Sequence, residues 1–218
     1  MLTNLIKFKV SVILTVYNRK KKLIRALNSL LIQTYKNFEI IIIDDGSTDG
    51  IENILFPVLK FNNNIKYVRH SNRNTVLSLN TGIKIAEGEY ITFLDSDDEY
   101  SPEHLETRVK YFRRNNKIDL IYSPATLKGN KKDFFVVDAR NKNKLIHLTN
   151  CVIGATFFGK NFVFYKLDGF RKIFSYDSNF FKRAVKEFNV EKFDNPSYIY
   201  HRDSKDSVLT LMKESKIY

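Results

Sequence analysis

A chain of 218 residues is long enough for one ordinary domain with a full core, and 43% hydrophobic with 14% aromatic residues excludes disorder as the default state. The formal net charge of +12 points to anionic partners, yet the lysines are scattered and only Lys20-Lys21-Lys22 and Lys131-Lys132 form runs. Abundant Lys, Asn, Ile, Phe and Tyr without Trp also fit compositional drift, so the charge predicts a modest preference for anionic surfaces and no dedicated nucleic-acid binding.

In chain order, Val10-Ser-Val-Ile-Leu-Thr-Val16 is a β-branched run suited to a strand covered on both faces. Leu23, Leu27, Leu30 and Leu31 follow at helical spacing, and residues 38–43 form a second apolar strand that ends in Asp44-Asp45-Gly46-Ser47. A helix is predicted over 51–61, a short strand over 66–69, a helix over 76–86 and a strand over 90–94 that stops at Asp95. Ser101-Pro102 reads as an N-cap and first helical residue, with Leu105, Val109 and Phe112 on one face, and 119–122 reads as a strand. Beyond Ser123 the pattern weakens. Residues 128–144 fit a hairpin or a loop, 178–188 a helix with Phe180, Phe181, Ala184, Val185 and Phe188 inward, and 198–202 a final strand. The alternation predicts an α/β fold with a mostly parallel central sheet flanked by helices.

Parallel sheets bind ligands beyond the carboxyl ends of their strands. Three predicted strands end there in polar groups: Thr15-Val16-Tyr17-Asn18, Asp44 to Asp49, and Asp95-Ser96-Asp97-Asp98. Carboxylates gathered in one crevice repel unless a cation compensates, and hard divalent cations use one or two carboxylates together with substrate phosphates. The clusters therefore suggest a metal–diphosphate site. Asp49 also reads as a cap of the following helix and Asp98 as a solvated turn residue.

These blocks, with Asn80-Thr-Gly82 and Ala86-Glu-Gly-Glu-Tyr-Ile-Thr-Phe-Leu-Asp-Ser-Asp-Asp98, resemble the family 2 inverting glycosyltransferases in order and spacing. The resemblance covers roughly residues 9–122. It implies a single GT-A-type, Rossmann-like domain over 1–218, with a nucleotide-sugar-binding half near 9–123 and an acceptor-side half near 124–218. It further implies hexosyl-type transfer from a UDP-sugar, with inversion, in polysaccharide or glycoconjugate synthesis. Thr15 and Tyr17 would line the nucleotide pocket, Asp45 would meet the uracil, and Asp95 with Ser96 would lie at the ribose. Asp97 would bind Mn²⁺ or Mg²⁺ on the donor diphosphate. In the second half, Tyr176-Asp177-Ser-Asn-Phe-Phe-Lys-Arg183 occupies the place of the family's acidic helix start, which makes Asp177 the candidate base and Arg183 a structural or phosphate partner. His201 and Arg202 resemble the closing basic segment and are candidate phosphate contacts.

Two positions depart from the family pattern. Leu79 stands where a cation often precedes the Asn, leaving Arg73 or Arg69 to supply one, and Tyr176 replaces the acid before Asp177. A dinucleotide-binding domain would need a Gly-rich turn after the first strand, but the sequence reads Tyr17-Asn18-Arg19-Lys20. A nucleotidyltransferase, which would need a Gly-rich basic loop, and a degenerate binding module remain as alternatives. The single Cys151 cannot form an internal disulfide. No run approaches the roughly 20 apolar residues of a membrane span, and residues 1–9 are too short and too charged for a signal peptide. The expectation is a soluble, cytoplasmic protein, peripheral at the inner face of the membrane, that meets a glycan or lipid-linked acceptor.

Overall fold

The computed structural model describes residues 9–202; most of the stretch weighed above as a signal peptide lies outside the described residues. Strands β1 (Val10–Val16), β2 (Phe38–Asp44), β3 (Ile65–Arg69) and β4 (Tyr90–Asp95) alternate with helices α1 (Lys20–Leu31), α2 (Glu52–Phe61) and α3 (Thr75–Ile85). Then come β5 (Glu99–Tyr100), α4 (His104–Arg114), β6 (Leu120–Tyr122), β7 (Ala125–Lys128), β8 (Phe135–Asp138) and β9 (Asn141–His147). The last described elements are β10 (Phe158–Lys160), α5 (Asn161–Lys166), α6 (Tyr176–Glu187), β11 (Val190–Lys192) and β12 (Tyr198–His201).

Seven strands form the central sheet in the order β11-β6-β10-β4-β1-β2-β3. Four of its six pairings are parallel, and the two made by β10 are antiparallel. Every residue of β1 and β2 is buried, as a strand covered on both faces requires. Alternate side chains divide between two cores. Val12 and Leu14 pack with Leu23, Leu27 and Leu30 of α1, while Ile13 packs with Val76, Leu79 and Ile83 of α3. The expected mostly parallel sheet with helices on both sides is thus present.

Several details differ from the sequence expectation. Helix α4 starts at His104, not at Pro102, because its free Leu105 amide is met by the distant Gln33 side chain (3.1 Å). Ser101 instead binds the Ser197 carbonyl. Helix α6 starts at Tyr176 and turns Val185 outward (48% exposed), leaving Phe180 and Ala184 as its buried residues. Leu31 is likewise exposed. Residues 128–144 contain most of a hairpin, β8 with β9. The final strand β12 joins a separate small sheet between β5 and β7. Strand β10, only three residues long, gave no period to read.

The Asn80 of the Asn-x-Gly block has a structural task. Its side chain exchanges two 2.8 Å hydrogen bonds with the backbone of Phe170, across the floor of the acidic edge. Gly169 makes this possible: its φ is +62°, and a Cβ there would lie 2.2 Å from Asn80 Oδ1. Gly169→Ala is expected to destabilise the protein by about 1–3 kcal/mol through strain and overpacking. Urea unfolding checks this, and an unchanged midpoint would contradict it.

Candidate active site

Register builds the site. Thr15 lies opposite Asp95 on one side and Ile43 on the other, and Val16 lies opposite Asp44, so the ends of β1, β2 and β4 share one edge. Asp45 is buried and accepts hydrogen bonds from the amides of Arg73 (2.8 Å) and Asn74 (3.0 Å), with the His70 ring at 3.2 Å. This carboxylate folds the 70–74 segment over the end of β2. Asp44 is fully buried and holds the Ser47 amide and the Tyr67 hydroxyl. Asp49 does cap a helix, but the preceding one: it takes the Lys20 amide at the start of α1 (2.8 Å).

The Asp95–Asp98 segment is a tight turn, closed by the Asp98 amide on the Asp95 carbonyl (3.0 Å). Asp98 is not a solvated turn residue. It is fully buried, accepting from the Tyr198 hydroxyl (2.7 Å) and the His201 amide (2.8 Å), and so ties the turn to β12. Ser96 is buried beside it. Asp97 pairs with the Arg19 guanidinium, and its main-chain carbonyl is held by Arg25. No hydrogen bond reaches the Asp95 carboxylate among the described residues.

Asp177 lies in the first turn of α6, one residue inside the helix start, rather than at its N-cap. Its carboxylate accepts from the amides of Ser178 (2.7 Å) and Gly154 (3.4 Å). A Cβ on Gly154 would sit 2.7 Å from that of Asp177, so only glycine lets the two segments meet there. Burial pushes the Asp177 carboxyl up, and these hydrogen bonds oppose it. Burial raises Asp95 to about 7, with the charges of Asp97 and Asp177 adding to it. Asp98 is raised well above the carboxylate range, first by burial and then by Asp95 and Asp97. Charges from both parts of the chain therefore act on Asp95.

Of the other expected site residues, Tyr17 is 45% exposed at the same edge, and Arg73 points its side chain outward while its amide binds Asp45. Arg69 is engaged with the Ser47 carbonyl. Leu79, Phe93, Phe170 and Tyr176 line a cavity of only about 10 Å³ beside Asp95, so the position of Leu79 is apolar floor. Arg183 binds the carbonyls of Leu167 and Gly169, a structural role. His201 and Arg202 are buried, and their side chains are engaged within the protein: the imidazole meets Glu99 (2.8 Å) and the guanidinium meets the Asp133 carbonyl (2.9 Å). Reading the sequence missed Arg19, Arg25 and Gly154. Arg19 was legible in principle, as a cation directly after a strand-end Asn.

The donor set is all carboxylate oxygen, which suits a hard divalent cation. Among the described residues no group of three or more His, Cys, Asp and Glu is placed to hold one alone. A groove of about 580 Å³ runs along α1 past Ile24, Ile32 and Ile199 and contains none of these aspartates.

Sheet, helices and acidic edge together define a GT-A-type transferase architecture. The glycosyl transferase family 2 model matches residues 11–174, and the chain belongs to that family. It is similar to an uncharacterized glycosyltransferase of Rickettsia conorii, with 49% identity over 110 residues that make up 50% of this chain and 18% of that protein. It also resembles glycosyltransferase GlyA of Streptococcus pneumoniae, at 38% identity over 49% of this chain and 15% of that one. The chain thus spans less than a fifth of these curated relatives. In fold it is similar to residues 1–349 of S. aureus TarS in complex with UDP-GlcNAc (TM-score 0.75, 22% identity, 97% of this chain and 62% of that one). Mannosyltransferase PcManGT of Pyrobaculum calidifontis, in complex with GDP-Man and Mn²⁺, is a further neighbour (TM-score 0.70, 16% identity, 96% and 65%).

The raised Asp95 carboxyl sets a pH dependence. A carboxyl whose folded pKa of about 7 exceeds its unfolded value of about 4 adds stability below pH ~4 that is lost as pH rises through 7. In chelator, the melting temperature should therefore fall between pH 5 and pH 8. Asp95→Asn should remove part of that slope, the rest belonging to Asp98 and Asp177. An equal slope in the mutant would contradict the assignment.

Proposed function

We propose that this chain transfers a sugar from a UDP-sugar to an acceptor hydroxyl with inversion, with Mn²⁺ or Mg²⁺ on the donor diphosphate. The observation that carries the reading is that Asp97, beside Asp95 in the turn after β4, and Asp177, from the second half of the chain, both lie near enough for their charges to raise the Asp95 carboxyl. Family membership supports glycosyl transfer, and the TarS complexes with UDP and UDP-GlcNAc support the donor class.

In this reading Thr15, Tyr17 and Asp45 hold the nucleoside, Arg73 borders it, and Asp95 with Ser96 positions the ribose. Asp97 carries the metal, which when bound stabilises charge developing on the leaving diphosphate. His201 and Arg202 back the phosphate side. Asp177 removes the proton of the acceptor hydroxyl as that oxygen bonds to the anomeric carbon. The bond from that carbon to the diphosphate oxygen breaks on the opposite face, and its electron pair leaves with the diphosphate. A carboxyl raised by burial is better matched to proton abstraction near neutral pH than an ordinary one. The acceptor is a glycan or a lipid-linked glycan, met at the membrane surface. No described helix is long and apolar enough to cross a membrane. The net charge of +12, and exposed Ile24 and Ile32 beside Lys21 and Arg25, support a peripheral contact.

Asp177→Asn keeps an oxygen for the close Ser178 amide, gives up the longer contact with the Gly154 amide, which reaches the other carboxylate oxygen, and cannot take a proton. Transfer should fall by a factor on the order of 10²–10⁴ while UDP affinity stays unchanged. Transfer at the wild-type rate would move the base elsewhere, with Asp168 and Asp138 the next residues to test. For the membrane contact, the chain should co-sediment with anionic vesicles at low salt and be released at high salt. Absence of binding at low salt would leave the charge as compositional drift.

A further inference from the structure

Leu79 and Tyr176, the two positions that depart from the family pattern, meet in space. They line one cup, with Leu79, Phe93 and Phe170 as its floor and Asp95, Ala155 and Tyr176 as its rim. The floor residues are almost fully buried and carry no polar side-chain atom. The rim residues are partly exposed, so the mouth lies among them, between the end of β4 and the start of α6. The space is about 10 Å³. That is close to the least, roughly 10–15 Å³, that admits a water-sized group, and a methyl is of that order.

The cup is firmly built. Phe93 and Asp95 alternate along β4 and so point to the same face of the sheet, the one that α3 covers with Leu79. The backbone of Phe170 is tied to Asn80 by two hydrogen bonds, and its ring meets those of Phe93 and Tyr176 edge-on at 5.3 and 5.5 Å. At the rim, neither the Tyr176 hydroxyl nor the Asp95 carboxylate takes part in a hydrogen bond among the described residues. Burial, with the charges of Asp95 and Asp177 adding to it, pushes the Tyr176 phenol well above its ordinary range, so it stays a donor. The Asp95 carboxylate, once ionised, only accepts.

We propose that this cup takes the methyl of an acetamido group, so that the donor is a UDP-linked acetamido sugar and Leu79 and Tyr176 select it. This rests on the reading of the chain as a UDP-sugar transferase with Asp95 at the donor. The chemistry of the cup disfavours the other common sugar substituents. A hydroxyl sent to the floor leaves water and finds no partner there. A uronate carboxylate fares worse, because it brings a negative charge beside Asp95, Asp97 and Asp177. The bare methyl of a 6-deoxy sugar suits the floor but leaves both rim groups unused. An acetamido group meets floor and rim together. Its methyl fills the apolar end, its carbonyl accepts from the Tyr176 hydroxyl, and its N–H donates to Asp95. The carboxylate has two oxygens, so one can serve this N–H while the other serves the ribose.

The test measures affinities of the full chain by calorimetry, with Mn²⁺ present. The ligands are UDP, the pair UDP-N-acetylglucosamine and UDP-glucose, the pair UDP-N-acetylgalactosamine and UDP-galactose, and UDP-6-deoxyglucose. In at least one pair the acetamido sugar should bind about tenfold more tightly, the order expected from burying one methyl and adding one or two hydrogen bonds. Tyr176→Phe keeps the ring and loses only the hydroxyl. It should cut that preference about fivefold while UDP itself binds as before. Leu79→Phe should fill the cup and abolish the preference. Each variant is checked for a native melting transition, and Tyr176→Phe, the milder change, carries the test if Leu79→Phe does not fold. Equal affinities within both pairs overturn the proposal. So does tighter binding of UDP-6-deoxyglucose than of either acetamido sugar, or a preference that Tyr176→Phe leaves unchanged. If UDP itself does not bind, the donor reading falls and the proposal with it; if UDP binds and the preference is missing, the proposal alone falls.

Discussion

Parallel pairing of β1 with β2 and β4 is the constraint on which everything else depends. The three strands are apolar, buried on both faces and in register, so their carboxyl ends must finish together at one edge of the sheet. Had one of them run the other way, its terminal aspartates would sit some five or six residues' length away, at roughly 3.3 Å per residue. The polar residues after Val16, Asp44 and Asp95 are neighbours because the hydrophobic strands leave them no alternative. The helices serve the same end, since α1 and α3 cover opposite faces and clamp β1 between them.

Within that edge the aspartates divide by what satisfies them. Asp44, Asp45, Asp49 and Asp98 each accept amide or hydroxyl hydrogen bonds from the protein and hold loops in place. Asp95 receives none among the described residues, and Asp97 is met by arginine. A partly buried carboxylate without hydrogen bonds carries a desolvation cost, and like charges beside it raise that cost. The acidic edge is thus least satisfied at Asp95 and Asp97, and best satisfied at the aspartates around them. Strand β12 and helix α6, both from the second half of the chain, close this edge through Tyr198, His201 and Asp177. The site is therefore incomplete without the less patterned half.

Much of this was legible in the sequence, for physical reasons. Long β-branched runs such as residues 10–16 and 38–43 report burial on both faces, and abrupt acidic ends report a strand edge. What stayed hidden depended on distant partners. Gln33 capping α4 from a loop, Asn80 bonding Phe170, and Gly154 making room for Asp177 are contacts between segments far apart in sequence, which no local period records. Strand β10 is three residues long, too short for a pattern, yet it sits between β4 and β6 and makes the sheet mixed. Glu39 near the start of an otherwise apolar strand is explained by Ser11, the Glu87 amide and Lys66 around it. Arg19 was visible beside the first strand end, but its partner Asp97 is 78 residues away.

The central claim is that the three strand ends and the start of α6 form one metal–diphosphate site. The most direct test is amide NMR of the chain with UDP and substoichiometric Mn²⁺, whose unpaired electrons broaden only nearby signals. The account predicts loss of signals from residues 15–18, 44–49, 95–98 and 176–178, and their persistence at 62–64 and 87–88 on the opposite edge of the sheet. Broadening centred elsewhere, such as on Asp138 of the β8–β9 hairpin and Asp133 just before it, or none beyond that of Mn²⁺ free in solution, would contradict it.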